Sequence, residues 1–136
     1  MTFLHATSVA IGGRAVLIEG PSASGKSDLA LRLIDRGAIL IADDQTEVRP
    51  ADDGLYAYTP ATIAGMLEVR GMGIVHLPNV SGLPLALAVR IGAPERMPEL
   101  DEHRMIDGHR LAAMTVAALE ASAPVKVEYR MKQLAT

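Results

Sequence analysis

One octapeptide constrains this chain more than any other stretch: Gly20-Pro21-Ser22-Ala23-Ser24-Gly25-Lys26-Ser27. It fits G-x-x-x-x-G-K-[ST] at every fixed position, in the context that gives the pattern structural meaning. The apolar run Ala15-Val16-Leu17-Ile18 before it reads as a buried strand. Ser27 to Arg36 after it reads as a helix with Leu29, Ala30, Leu33 and Ile34 on one side, closed by Gly37. A loop between strand and helix can turn its amide N–H groups inward as a nest for phosphate oxygens, and the helix N-terminus adds its positive dipole end. Gly25 lets the backbone come close without a Cβ. Lys26 places a compact positive charge where β- and γ-phosphates would lie, and Ser27 offers a hydroxyl to Mg2+, a hard ion that prefers oxygen. Gly20 to Ser27 is therefore the expected ATP and Mg2+ site.

The remaining sequence frames that loop. A length of 136 residues, 49% hydrophobic, makes one domain with a real core, spanning 1–136. Phe3 to Ile11 reads as a first strand, with a tight turn at Gly12-Gly13. Ile39-Leu40-Ile41-Ala42 reads as another strand, and Glu47 to Arg49 with Leu55 to Tyr58 as a hairpin around the five residues Pro50 to Gly54. Further strands are expected at Gly73 to His76, Leu85 to Ile91 and Leu111 to Val116, and Glu95 to His109 as surface loop. Ser122-Ala123-Pro124 reads as the start of a short terminal helix, capped by Ser122. The expected fold is α/β: a mostly β framework with a P-loop helix and a short C-terminal helix. There is no Cys, so disulfides and Cys-based zinc sites are excluded. The net charge of −3, without a basic block, argues against nucleic acid as a partner. No apolar run approaches the roughly 20 residues needed to cross a bilayer, and the N-terminus lacks a secretory pattern, so no membrane partner and a cytoplasmic location are expected.

Asp43 and Asp44 stand where an apolar strand ends, and ligands in parallel sheets gather at the carboxyl ends of strands. Adjacent side chains on an extended segment point to opposite faces, which assigns the two acids different roles. One could hold Mg2+ and the other take the proton of an attacking hydroxyl. The competing reading is that Asp44 caps a turn in solvent. In Leu67-Glu68-Val69-Arg70-Gly71-Met72-Gly73, alternation sets Glu68 and Arg70 opposite Leu67 and Val69. A carboxylate and a guanidinium beside glycines suit metal ligation and phosphate handling, though a surface ion pair in a turn is an equally good account. The four histidines, His5, His76, His103 and His109, show no metal-ligand spacing, and His103 and His109 are expected to face solvent.

Taken in order, these stretches make the chain similar to the catalytic domain of HPr kinase/phosphorylase, in a short form without the family's N-terminal domain. The resemblance runs from His5 to about Arg96. His5 lies fifteen residues before Gly20, like the family's active-site histidine. Lys26 and Ser27 match its P-loop lysine and Mg2+-binding hydroxyl. Arg36-Gly37 through Ala42-Asp43-Asp44 looks like its "RG…VADD" segment, whose second Asp is the general base. Met66 to Ile74, reading MLEVRGMGI, is similar to its "EIRGLGI" signature, where Glu contributes to Mg2+ binding. The resemblance thus implies His5, Lys26 and Asp44 as catalytic residues, with Ser27, Asp43 and Glu68 about the metal. Arg96 is the nearest match to a further catalytic arginine. The partner it implies is an HPr-like phosphocarrier of the sugar phosphotransferase system, phosphorylated on serine. The family's dephosphorylation loop reads like "PVRPGRN", and Pro124-Val125-Lys126-Val127-Glu128-Tyr129-Arg130 lacks its glycine and Asn. With that departure, and with the chain stopping at Thr136 before the family's long C-terminal helix, little phosphorylase activity is expected. The family's hexamer is not expected either, which leaves open whether the chain forms another homo-oligomer.

Two other functions compete. A small-molecule P-loop kinase would be indifferent to HPr, but the chain leaves little room for the lid such enzymes close over substrate. A non-catalytic ATP-sensing partner protein would have no use for a base such as Asp44.

Overall fold

Residues 1–99 and 101–135 are described by the structure, a computed structural model. In chain order the elements are β1 (Thr2–Leu4), β2 (Ala6–Ile11), β3 (Arg14–Glu19), α1 (Lys26–Asp35), β4 (Ile39–Ala42), β5 (Thr46–Ala51) and β6 (Gly54–Tyr58). They continue with β7 (Met66–Val69), β8 (Gly73–His76), β9 (Leu83–Ile91), β10 (His103–Ile106), β11 (His109–Val116) and α2 (Ala123–Leu134). This is the mixed α/β class expected, mostly strand with two helices.

The main sheet runs β1-β5-β6-β9-β3-β2-β4, with β11 on β9 and β10 on β11. Strands β3, β9 and β11 are mutually parallel, while β2 is antiparallel to both β3 and β4. The carboxyl ends of β3, β4, β9 and β11 therefore share one edge, and the start of β2 lies there too, since Ala6 pairs with Glu19. β7 and β8 form a separate hairpin.

Strand β3 shows why its run is unbroken by polar residues. Ala15 and Leu17 enter one core cluster, Val16 and Ile18 the other, so both faces are buried. The second cluster holds Leu29 and Leu33 of α1, Val127 and Met131 of α2 and Leu67 of β7, which puts both helices on that face. Each fully buried leucine contributes about 1.5–3 kcal/mol relative to exposure. The opposite face is closed by Val48, Leu55 and Ala57 of β5 and β6 and by Ile106 and Leu111 of β10 and β11. Helix α1 ends as its sequence predicts: Gly37 N–H bonds to the Ile34 carbonyl and Ala38 N–H to that of Leu33, each at 3.0 Å.

Several expectations need correction. The strand expected over Phe3 to Ile11 is two strands broken at His5, with β1 pairing to β5 and β2 to β3 and β4. The hairpin of β5 and β6 closes more tightly than five residues, because Ala51 and Gly54 already pair. Glu95 to His109 is not all loop. Asp107-Gly108 turns β10 into β11, both with positive φ, 48° and 79°. Ser122 stands at the start of α2 but makes no side-chain cap. Gly71 and Gly73 belong to the β7–β8 hairpin.

Candidate phosphate-loop site

The loop Gly20 to Gly25 leaves the end of β3 and turns into α1. Ala23 and Gly25 both take positive φ, 61° and 101°. Glycine is needed at residue 25 on a second ground, since a Cβ there would lie 3.2 Å from Ala118 Cβ. At residue 20 a Cβ would stand 2.8 Å from Ser24 Oγ and 3.1 Å from Ile91 Cβ. Lys26 is nearly buried, and its ammonium donates to the carbonyls of Gly20 and Pro21 at 2.9 and 3.0 Å. Ser24 Oγ is buried in the same loop without a hydrogen-bond partner among the described residues. A buried hydroxyl normally finds one, so the loop's polar interior is incomplete within the protein itself. A phosphate oxygen could supply the missing partner, and Lys26 holds positive charge in the same loop.

The acids stand beside the loop and differ in their partners. Asp43 Oδ1 accepts from Ser27 Oγ at 2.6 Å and from Thr7 Oγ1 at 3.0 Å, and Asp43 Oδ2 accepts from the Glu68 N–H at 2.9 Å. Asp44 takes a left-handed backbone, φ 66°, and its N–H donates to Thr7 Oγ1 at 3.1 Å. Its carboxylate turns away from Asp43 and meets His5 Nε2 at 2.9 Å, with both side chains more than half exposed. One buried threonine thus fixes both acids. Spacing and motif do not single out Thr7; two adjacent hydroxyls in a buried strand, Thr7 and Ser8, are the one signal the sequence holds for it.

Ser27, Asp43 and Glu68 come together, although Glu68 reaches Asp43 through its backbone while its carboxylate is exposed. Ser27 and Asp43 are the oxygen donors that would hold Mg2+, whose charge would neutralise phosphate oxygens when bound. Among the described residues no cluster of three His, Asp or Glu side chains forms a metal site by itself. Arg96 lies exposed between β9 and β10, and no hydrogen bond or ion pair joins it to His5, Lys26, Asp43 or Asp44 among the described residues. Pro124 to Arg130 is helix within α2, so it is no loop. The segment that abuts the phosphate loop is instead Ala117 to Ser122, between β11 and α2.

A further unexpected contact backs the site. Glu19, the last residue of β3, is gripped by Arg104 of β10 through two bonds of 3.0 Å. That hydrogen bond, then the charge of Glu19, raises the Arg104 pKa above its ordinary value. The pair neutralises the carboxylate of the residue that precedes the loop.

Known proteins resemble this chain. The model of the HPr Serine kinase C-terminal domain matches residues 1–90. The chain belongs to the HPr serine kinase C-terminal domain family. Like that match, the main motifs of this family member all lie within its first 90 residues. It is 42% identical over 89 residues to the HPr kinase/phosphorylase of Clostridium tetani (strain Massachusetts / E88), covering 65% of this chain and 29% of that protein. It is 35% identical over 131 residues to the HPr kinase/phosphorylase of Clostridium novyi (strain NT), covering 92% of this chain and 43% of that protein. The chain thus spans less than half the length of these curated relatives. Among solved structures, the Hpr(Ser) kinase/phosphatase from Coxiella burnetii superposes with a TM-score of 0.84 at 26% identity, over 98% of this chain and 95% of that one.

Proposed function

We propose that this kinase-family domain transfers the γ-phosphoryl group of ATP, with Mg2+, to a serine hydroxyl of an HPr-like phosphocarrier. The observation that carries the reading is the division between the acids: Asp43 is committed to Ser27, and Asp44 is turned out to His5. A base must be free to reach the acceptor hydroxyl, and Asp44 is exposed. His5 orients its carboxylate, and Lys26 leaves the loop carbonyls to meet the transferring group, where positioned charge lowers the barrier. The same exposure suits a folded protein substrate, which must bring its serine to the domain surface. Location follows from this partner: an HPr-like acceptor places the reaction in the cytoplasm, and no helix of the described residues is long and apolar enough to cross a membrane.

The test is direct. Purified protein with ATP, Mg2+ and HPr should label HPr on serine, and Lys26→Ala should lower the labelling rate by at least about 100-fold through lost charge stabilisation. Labelling of a metabolite with HPr ignored would favour the small-molecule kinase. Partner binding that depends on ATP while HPr stays unlabelled would favour the sensor.

A further inference from the structure

The phosphate loop has two flanks. On one stand β2 and β4 with His5, Asp43 and Asp44, and on the other β9 and β11 with the turn Ala117 to Ser122. If phosphoryl transfer takes place at Asp44, as in the reading above on which this inference rests, the γ-phosphate lies on the β4 flank. The remainder of the nucleotide then extends toward β11.

The turn waiting there has an unusual surface. Leu119 is 80% exposed, yet its Cδ2 lies 3.6 Å from where a Cβ on Gly25 would be. An exposed leucine is commonly a mobile surface residue, but here the backbone on both sides is tied down. The guanidinium of Arg32 donates from Nη1 to the Glu120 carbonyl at 3.0 Å and from Nη2 to the Ala118 carbonyl. Arg32 is in turn held by Asp28, at 3.0 Å, one residue beyond Ser27. Glu120 N–H closes the turn on Ala117 O at 3.0 Å, and Glu120 also pairs with Lys126. Arg32 of helix α1 therefore ties down the backbone on both sides of Leu119 beside Gly25.

We infer that Leu119, held by Arg32, is the shelf on which the base of the bound nucleoside triphosphate lies. A nucleobase offers a flat apolar face, and burying it against a fixed aliphatic side chain removes both surfaces from water with little ordering cost. No aromatic ring competes for this place, because Phe3 is on β1, Tyr56 and Tyr58 are on β6, and Tyr129 is on α2. The shelf reads the base by its face. Arg32 is a positioning residue, acting only through the turn.

Calorimetric titration of the wild type, Leu119→Ser and Leu119→Tyr with Mg-ATP and with Mg-tripolyphosphate tests this. Leu119→Ser should weaken ATP about tenfold and leave tripolyphosphate unchanged, because only the base loses its apolar partner. Leu119→Tyr should tighten ATP alone, since a ring stacks better than an isobutyl group. Arg32→Ala should mimic Leu119→Ser toward ATP and, in combination with it, add little. Equal changes for both ligands, or no change for ATP, would overturn the inference while leaving the phosphate loop in place. Slower labelling of the protein acceptor with ATP affinity intact would overturn it in favour of acceptor docking. Failure of the wild type to bind either ligand would sink the phosphate-loop reading itself, and this inference with it.

Discussion

The two flanks of the phosphate loop are built from opposite materials. On the β4 side, Thr7 joins the Asp43 carboxylate to the Asp44 backbone N–H, and the Asp44 carboxylate meets His5, with every partner within 3.1 Å. On the β11 side, an exposed leucine is set in place by carbonyl tethers to Arg32. Both are tied by hydrogen bonds, but the ties serve different ends. A network of charge and hydroxyl fixes where a proton can go. A tethered apolar side chain fixes where surface can be buried, and it leaves proton transfer alone. The chemistry should therefore belong to the first flank and affinity to the second.

The largest effect that could break this division is at Asp44. Asp44→Asn keeps the shape and the Thr7 bond to its backbone, yet removes the proposed base, so turnover on HPr should fall about 100- to 10,000-fold. ATP affinity, measured by titration, should stay near the wild type. A variant that loses ATP binding along with turnover would show that Asp44 shapes the loop, and the division would fail.

Between the flanks lies the Glu19–Arg104 pair, and it sharpens the comparison. Arg104→Ala leaves the Glu19 carboxylate, mostly covered and one residue before the phosphate loop, without its cation. ATP should then bind about tenfold more weakly, the scale of one charge-assisted pair, and so should tripolyphosphate. Adding Glu19→Gln should restore most of the loss for both ligands. Loss confined to ATP would move Arg104 from the phosphate side to the base side.

What could be read in advance follows the same line. The strand β3, the loop and α1 were legible because the backbone makes the site, and local spacing fixes a backbone turn. The break of β4 into Asp43-Asp44 was legible for the same reason. Thr7, Arg104 and Leu119 were not, because their partners lie 36, 85 and 94 residues away, at Asp43, Glu19 and Gly25. No local period carries such contacts. Residues 103 to 110 offered one fair signal, Asp107-Gly108, which the polar surroundings of Glu95 to His109 obscured. Pro124 to Arg130 departs from the family's loop motif and lies in the terminal helix expected from Ser122-Ala123-Pro124, on helix chemistry visible in the sequence. Proline at the first turn is compatible with a helix, and α2 begins there.

The smallest expected effect is the most telling about the loop between the flanks. Ser24 Oγ is buried with no partner, held close by the absence of a side chain on Gly20. A hydroxyl in that position costs the free protein part of its hydration, about 1–3 kcal/mol if nothing relaxes. Ser24→Ala removes that cost, so the free protein should melt at the same temperature or slightly higher. The bound state should move the other way, because phosphate would have supplied the missing partner. A loss of about threefold to tenfold in ATP and tripolyphosphate affinity corresponds to one neutral hydrogen bond. Opposite signs for stability and binding are what a hydroxyl reserved for a ligand predicts. A variant that loses stability and keeps its affinity would mean that Ser24 supports the loop from within, and the anion would then rest on Lys26 and the backbone alone.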